Sequence, residues 1–193
     1  NTVVLYTADH GDLLGDFGCF FKCSMFAGSV GIPFVAAGPG ISVQGANECL
    51  VGLQDVLPTL AALSSNPLPR EVAGHDLSPT LADAGAGGRE IYVSQCMDSP
   101  NQRYMVRTGR YKYVYHELGG IEELYDLVDD PSEQHNLSAE KRELREQFRG
   151  ALLDWVRENG DEQMLDGDDL VVSPEDSSMQ TELQAGRLGW RWY

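Results

Sequence analysis

The chain has 193 residues, 42% of them hydrophobic, which suits one domain, or one domain with a small satellite, and excludes disorder along the whole length. Thirty Asp and Glu against 14 Lys and Arg give a formal net charge of -16, a surface that repels nucleic-acid phosphates and anionic membranes. No apolar run approaches the roughly 20 residues of a membrane helix, and Asn1 to Tyr6 lack the basic start of a signal peptide, so neither a membrane span nor an export signal is expected.

Thr2 to Thr7 is β-branched and aromatic without polar alternation, which predicts a strand buried on both faces, as in the middle of a parallel sheet. It ends at Ala8-Asp9-His10-Gly11, where an α/β sheet places its ligands. A central strand needs neighbours on both sides, so the start reads as a cut within a larger domain. Gly31 to Gly40 predicts a second short strand closed by a Gly-Pro-Gly turn. Leu53, Val56, Leu57, Leu60 and Leu63 recur at helical spacing, with Pro58 in the first turn. Ser64 to Gly88 is a loop with room for a short helix over Ser78 to Ala82, and it makes the best domain boundary.

Beyond it, Ile91 to Ser94, Tyr104 to Arg107 and Tyr111 to Tyr115 predict a small antiparallel sheet with a hairpin at Thr108-Gly109-Arg110, and Glu122 to Leu127 adds an edge strand or turn. Asn136 is expected to cap a helix running to about Asn159, with Leu144, Phe148, Leu152 and Trp155 on its inner face. Glu158 to Glu182 holds nine acidic and no basic residues and reads as a solvated tail. Arg187, Trp190, Arg191, Trp192 and Tyr193 read as a docking segment. The domain expectation is therefore 1–85 as part of a large α/β domain, 86–160 as a small α+β subdomain, and 161–193 as the tail.

Among the polar residues, Asp9-His10-Gly11-Asp12 is the densest cluster: carboxylate and neutral imidazole bind divalent metals, and Gly11 allows close backbone approach. A helix-capping Asp beside a structural His is the competing reading. Lys22, among Phe20, Phe21, Met25 and Phe26, must bring its ammonium to water or to an anion. Cys19 and Cys23 are equally suited to a bridge or to two free thiols, and Cys49 and Cys96 complete no zinc spacing.

Thr7 to Gly18 with Lys22, Ile32-Pro33-Phe34 and Gly38-Pro39-Gly40 resembles the carboxy-terminal half of sulfatases of the alkaline phosphatase superfamily. Asp55 to Leu60, Gly74-His75-Asp76-Leu77-Ser78-Pro79, and Glu123 to Leu127 followed by Asp130-Pro131, Glu133 and Asn136-Leu137 extend the resemblance in order through about residue 160. The resemblance implies an α/β class, the carboxy-terminal part of an alkaline phosphatase-like sulfatase fold with a small antiparallel sheet plus helix subdomain. It also implies hydrolysis of sulfate monoesters, with Asp9 and His10 as ligands of a divalent cation, calcium foremost and magnesium or manganese as alternatives, and Lys22 as the catalytic and sulfate-binding lysine. His75 is a candidate on the substrate side.

The family's formylglycine, made from Cys or Ser in a Cys/Ser-x-Pro-x-Arg motif, is expected in an upstream segment, because none of the four cysteines begins that pattern. The chain thus reads as a fragment or one piece of a cleaved enzyme, its partners a sulfated small molecule or glycan, the upstream part of the same enzyme, and in one reading a second copy of itself. Relatives carry His at Phe17, Glu at Ala27 or Gly28, and Arg at Gly31, which thins the polar support and leaves the substrate open. Phosphate or phosphonate ester hydrolysis is the alternative chemistry, and a non-catalytic metal-binding or interaction module is the alternative class.

Overall fold

The computed structural model describes residues 1–68 and 70–174. Its elements are β1 (Val4–Thr7), α1 (Ala27–Val30), β2 (Phe34–Ala37), α2 (Val56–Leu63), α3 (Ser78–Ala82), β3 (Tyr92–Cys96), β4 (Arg103–Arg107), β5 (Tyr111–His116), β6 (Ile121–Asp126), α4 (Arg142–Glu158), β7 (Leu165–Asp166) and β8 (Asp169–Leu170). They divide into two compact units: residues 1–9 with 32–92, and, among the described residues, 10–31 with 93–174. No helix among the described residues is long and apolar enough to cross a membrane.

In the first unit β1 pairs with β2 in antiparallel register, Val4 opposite Ala37 and Thr7 opposite Phe34. The expected parallel pairing is not what forms. A run such as Val-Leu-Tyr-Thr states that a strand is apolar, whereas its direction is set by how the intervening chain returns to it. Nor is β1 buried on both faces: Leu5 and Thr7 are half-buried, and Val4 and Tyr6 are exposed.

The helix predicted over Leu53 to Leu63 forms as a 3-10 turn, Leu53–Asp55, running into α2. Its anchor is Asp55, fully buried, whose carboxylate accepts from the Gly52 and His75 N–H groups, both at 2.8 Å, and from Arg89. Thr59 Oγ1 donates to the Asp55 carbonyl at 2.6 Å and accepts from Leu77 N–H at 3.0 Å, which seats α3 beside α2. At Gly74 a Cβ would lie 1.8 Å from the Gln54 carbonyl oxygen, so only glycine lets this loop close on the turn.

The second unit is built on the antiparallel sheet β3-β4-β5-β6. Its register sets Val106, Tyr113 and Leu124 side by side, with Tyr104 opposite Tyr115, on one face. Phe148, Leu152 and Val156 of α4 pack on that face and form the core with them. Burial of such a stripe, at roughly 25 cal/mol per Å² of apolar surface, is what holds a helix on a sheet.

Alternation along each strand sends Arg103, Met105, Lys112, Val114 and Tyr125 to the other face. There the segment 10–31 lies: Phe26 tilts against Tyr125 with ring centres 6.3 Å apart, and Lys112 Nζ donates to the Met25 carbonyl at 2.5 Å. Burial, reinforced by the charge of Arg107, lowers the Lys112 pKa to about 7, while the charge of Glu123 acts in the opposite direction.

Two expectations are corrected in this unit. Asn136 does not cap α4; its Oδ1 accepts from Leu124 N–H at 3.0 Å and Ser138 N–H at 2.9 Å, so that acceptor serves β6 and the helix begins only at Arg142. Residues 158–174 are packed, not a solvated tail. Met164 and Leu170, interleaved with the acids, are buried on the core, Tyr115 Oη donates to the Val171 carbonyl at 2.6 Å, and Arg149 takes Asp169 at 2.6 Å. Asp126, at the end of β6, accepts from Arg110 in the β4–β5 turn at 2.7 Å and so ties that hairpin to β6. Cys19 and Cys23 are free thiols, like Cys49 and Cys96. The remainder of the acidic run and the segment Arg187 to Tyr193 lie outside the described residues.

Candidate functional site

After β1 the chain turns through Asp9, which is exposed, into His10 and Gly11. Gly11 N–H donates to the Ser29 carbonyl at 2.8 Å, and a Cβ there would lie 2.1 Å from the Gly28 carbonyl oxygen, so the chain at Gly11 and the backbone of α1 meet without a side chain between them. The glycine of the Asp-His-Gly-Asp cluster is thus required by the approach the sequence suggests.

Asp12 then closes the loop that follows. Its Oδ1 accepts from Leu14 N–H at 2.9 Å and from Phe21 N–H at 3.1 Å, and Leu13 N–H donates to the Phe21 carbonyl at 2.8 Å. Buried Leu13 and Met25 root the two ends. The closure delivers Lys22 to His10: Lys22 Nζ lies 2.6 Å from His10 Nε2, and the lysine is otherwise exposed. Of the predicted residues, His10 and Lys22 are in contact within the second unit, Asp9 ends the first stretch of the first unit, and His75 lies in the first unit, exposed, with its backbone N–H held by Asp55.

An ammonium only donates, so Nε2 accepts from Lys22 and the ring proton sits on Nδ1, which faces the Gly11 carbonyl at 2.7 Å. That is the tautomer a metal requires, with the second ring nitrogen fixed by a backbone carbonyl. The single Nε2 lone pair is the one that Lys22 uses, so lysine and metal compete for it. No group of three or more His, Cys, Asp or Glu among the described residues is arranged to hold a metal ion. The Asp9 carboxylate and the His10 imidazole are donors of a kind divalent cations take, but calcium takes about six to eight oxygens and these two side chains hold one carboxylate between them.

Sequence reasoning did not single out Asp12 as the clasp of this loop, nor the support beneath Lys22. The Asp-x-Leu spacing carried the signal for the first, since Asp side chains bond backbone N–H groups two residues on. The second has no local signal, because Lys112 and Glu133 reach the loop from distant strands and turns.

Residues 15–157 match the family model described as N-sulphoglucosamine sulphohydrolase, C-terminal. The chain is 32% identical over 155 residues to arylsulfatase K of Rattus norvegicus, covering 74% of this chain and 27% of that protein. It is 33% identical over 175 residues to the Delta 4,5-hexuronate-2-O-sulfatase of Bacteroides thetaiotaomicron, covering 84% of this chain and 36% of the relative. A solved 2-O GAG sulfatase superposes with a TM-score of 0.77 at 30% identity over 89% of this chain and 39% of that one. The fold is therefore the carboxy-terminal part of an alkaline phosphatase-like sulfatase fold. The chain belongs to the sulfatase family and spans about a quarter to two fifths of the relatives it matches.

Proposed function

We propose that this chain supplies one part of the active site of a hydrolase of sulfate monoesters, with Lys22 as the catalytic and sulfate-binding cation. The observation that carries the reading is the Lys22–His10 contact of 2.6 Å at the end of a loop shaped by Gly11 and Asp12. One ammonium N–H goes to His10 while Nε2 is without a metal, and two or all three are then open to an anion. They can bond sulfuryl oxygens and the ester oxygen as charge builds on the leaving group, which is stabilisation of the transition state more than of the ground state.

Asp9 and His10 are proposed as ligands of a divalent cation, calcium foremost, together with ligands from outside this chain. Such a cation, when bound, neutralises the sulfate group and polarises its sulfur–oxygen bonds. His10 holds its Nδ1 proton on the Gly11 carbonyl throughout and keeps Nε2 for the metal or for Lys22. The formylglycine nucleophile is proposed to come from sequence outside this chain. Kinship with a hexuronate-2-O-sulfatase and a 2-O GAG sulfatase supports a sulfated glycan as substrate, with His75 proposed as a residue that contacts it.

The test is Lys22→Ala in the complete sulfatase, assayed per folded, metal-loaded enzyme on a sulfated disaccharide. The expected loss in kcat is on the order of 10²-fold, as for other transition-state donors. Metal affinity should not fall, because the variant removes the competitor for Nε2. Wild-type kcat would overturn the assignment of Lys22, and faster turnover of a matched phosphate or phosphonate ester would replace the substrate class.

A further inference from the structure

The residues on either side of Lys22 are in an unfavourable backbone conformation. Phe21 and Cys23 have φ of 68° and 74°, the left-handed region that side chains other than glycine avoid. Such conformations persist where the surroundings impose them, and they cluster at functional sites.

Three charged side chains hold the chain just beyond Lys22. Arg103 donates to the Cys23 carbonyl, Lys112 donates to the Met25 carbonyl at 2.5 Å, and Glu133 accepts from Ala27 N–H at 2.6 Å. One backbone group at each of residues 23, 25 and 27 is therefore taken by a side chain from β4, β5 or the turn after β6. Lys112 and Glu133 also pair with each other, each only 2% exposed, and the ammonium lies 5.8 Å from the Tyr125 ring centre and 6.0 Å from that of Phe26.

A buried ion pair is weak evidence of a stability role, since well-packed apolar residues of similar volume often stabilise as much or more. What an apolar pair could not do is bond the Met25 carbonyl and the Ala27 N–H. We propose that Lys112 and Glu133 are positioning residues for Lys22, holding the segment 23–27 on the sheet so that the strained turn at 21–23 presents the Lys22 ammonium in one place. The proposal rests on the role given to Lys22 above.

The deciding variant is Lys112→Met with Glu133→Leu in the complete sulfatase, which removes both charges together and leaves no buried ion alone. At equal folded fraction and metal loading, kcat should fall on the order of 10- to 100-fold with a smaller change in KM, as for a group displaced by about an ångström. Amide exchange should quicken at residues 21–27 but not in β4 to β6. Wild-type kcat in this variant, beside a Lys22→Ala control that has lost turnover, overturns the positioning role alone. Wild-type kcat in the Lys22→Ala control overturns the role of Lys22 and the positioning proposal with it. If the double variant does not fold, Glu133→Leu decides: it removes the acceptor for Ala27 N–H and leaves Lys112 on the Met25 carbonyl, and unchanged kcat with unchanged exchange at 21–27 counts against the proposal in the same way.

Discussion

Arg89 meets Asp55 side by side, its two terminal nitrogens donating to the two carboxylate oxygens at 2.8 and 2.6 Å. The carboxylate is fully buried and the arginine side chain 8% exposed, so the pair lies in the interior of the first unit at the start of α2. Every oxygen of Asp55 is used, because Gly52 and His75 supply one N–H each.

Breaking that arrangement from one side should be costly. Arg89→Met leaves the buried carboxylate without its cation, and Asp55→Asn leaves the guanidinium without its counter-charge. Each should lower stability by about 3–5 kcal/mol, the range for removing one partner of a buried pair. Urea unfolding checks this, and a loss below about 1 kcal/mol, typical of an exposed pair, would contradict the burial.

The same carboxylate sets a dependence on acid. Burial by itself would raise the Asp55 pKa, but the Arg89 hydrogen bonds and the N–H groups of His75 and Gly52 outweigh it and hold the carboxyl below its ordinary value. A carboxyl lowered in the folded state contributes stability that is fully present above its unfolded pKa, about 3.9, and is lost as pH falls through the lower folded value. Stability measured between pH 5 and pH 2 should therefore fall less steeply in Asp55→Asn than in the wild type, once the variant's lower starting point is subtracted.

Asp12 closes the loop to Lys22 with two bonds from backbone N–H groups, at Leu14 and Phe21. Asp12→Ala should cost the fold only about 1 kcal/mol, the usual worth of such side-chain to backbone bonds at an exposed site. Its effect on turnover in the complete sulfatase should be larger than that, because the loop then holds Lys22 less firmly against His10. A loss of kcat no greater than the loss of folded protein would show that the clasp is structural only.

Calcium should bind this chain by itself only weakly, and turnover of sulfate esters by this chain alone should be absent. The two proposed ligands, Asp9 and His10, would offer only a small part of a calcium shell, and Nε2 of His10 is already engaged by Lys22. Calorimetry of the 193-residue chain measures the first. Micromolar affinity would mean that its own side chains complete the shell.

Much of this protein is legible in the order of its residues. The α3 helix forms over the expected Ser78 to Ala82, the strands at Tyr104 to Arg107 and Tyr111 to Tyr115 stand within a residue of their expected bounds, and Phe148 and Leu152 line the face of α4 that meets the sheet. Local turn chemistry and hydrophobic period determine these, and both are written in short stretches of sequence. The motif with His10 and Lys22, and with it the family, was legible for the same reason: its residues lie close together along the chain.

What the tertiary structure decided involves pairs far apart in sequence. The direction of β1 depended on where β2 returns, Asn136 was drawn from the helix end to Leu124, and the acidic run from 158 to 174 was packed by Met164, Leu170 and Arg149. The clamp beneath Lys22 belongs with these. Lys112 reads as an ordinary strand residue and Glu133 as a loop residue, and only the register of β5 turns Lys112 to the face where Met25 lies. A buried charge finds its partner through the whole fold, because the cost of leaving it unpaired is settled in space and not along the chain.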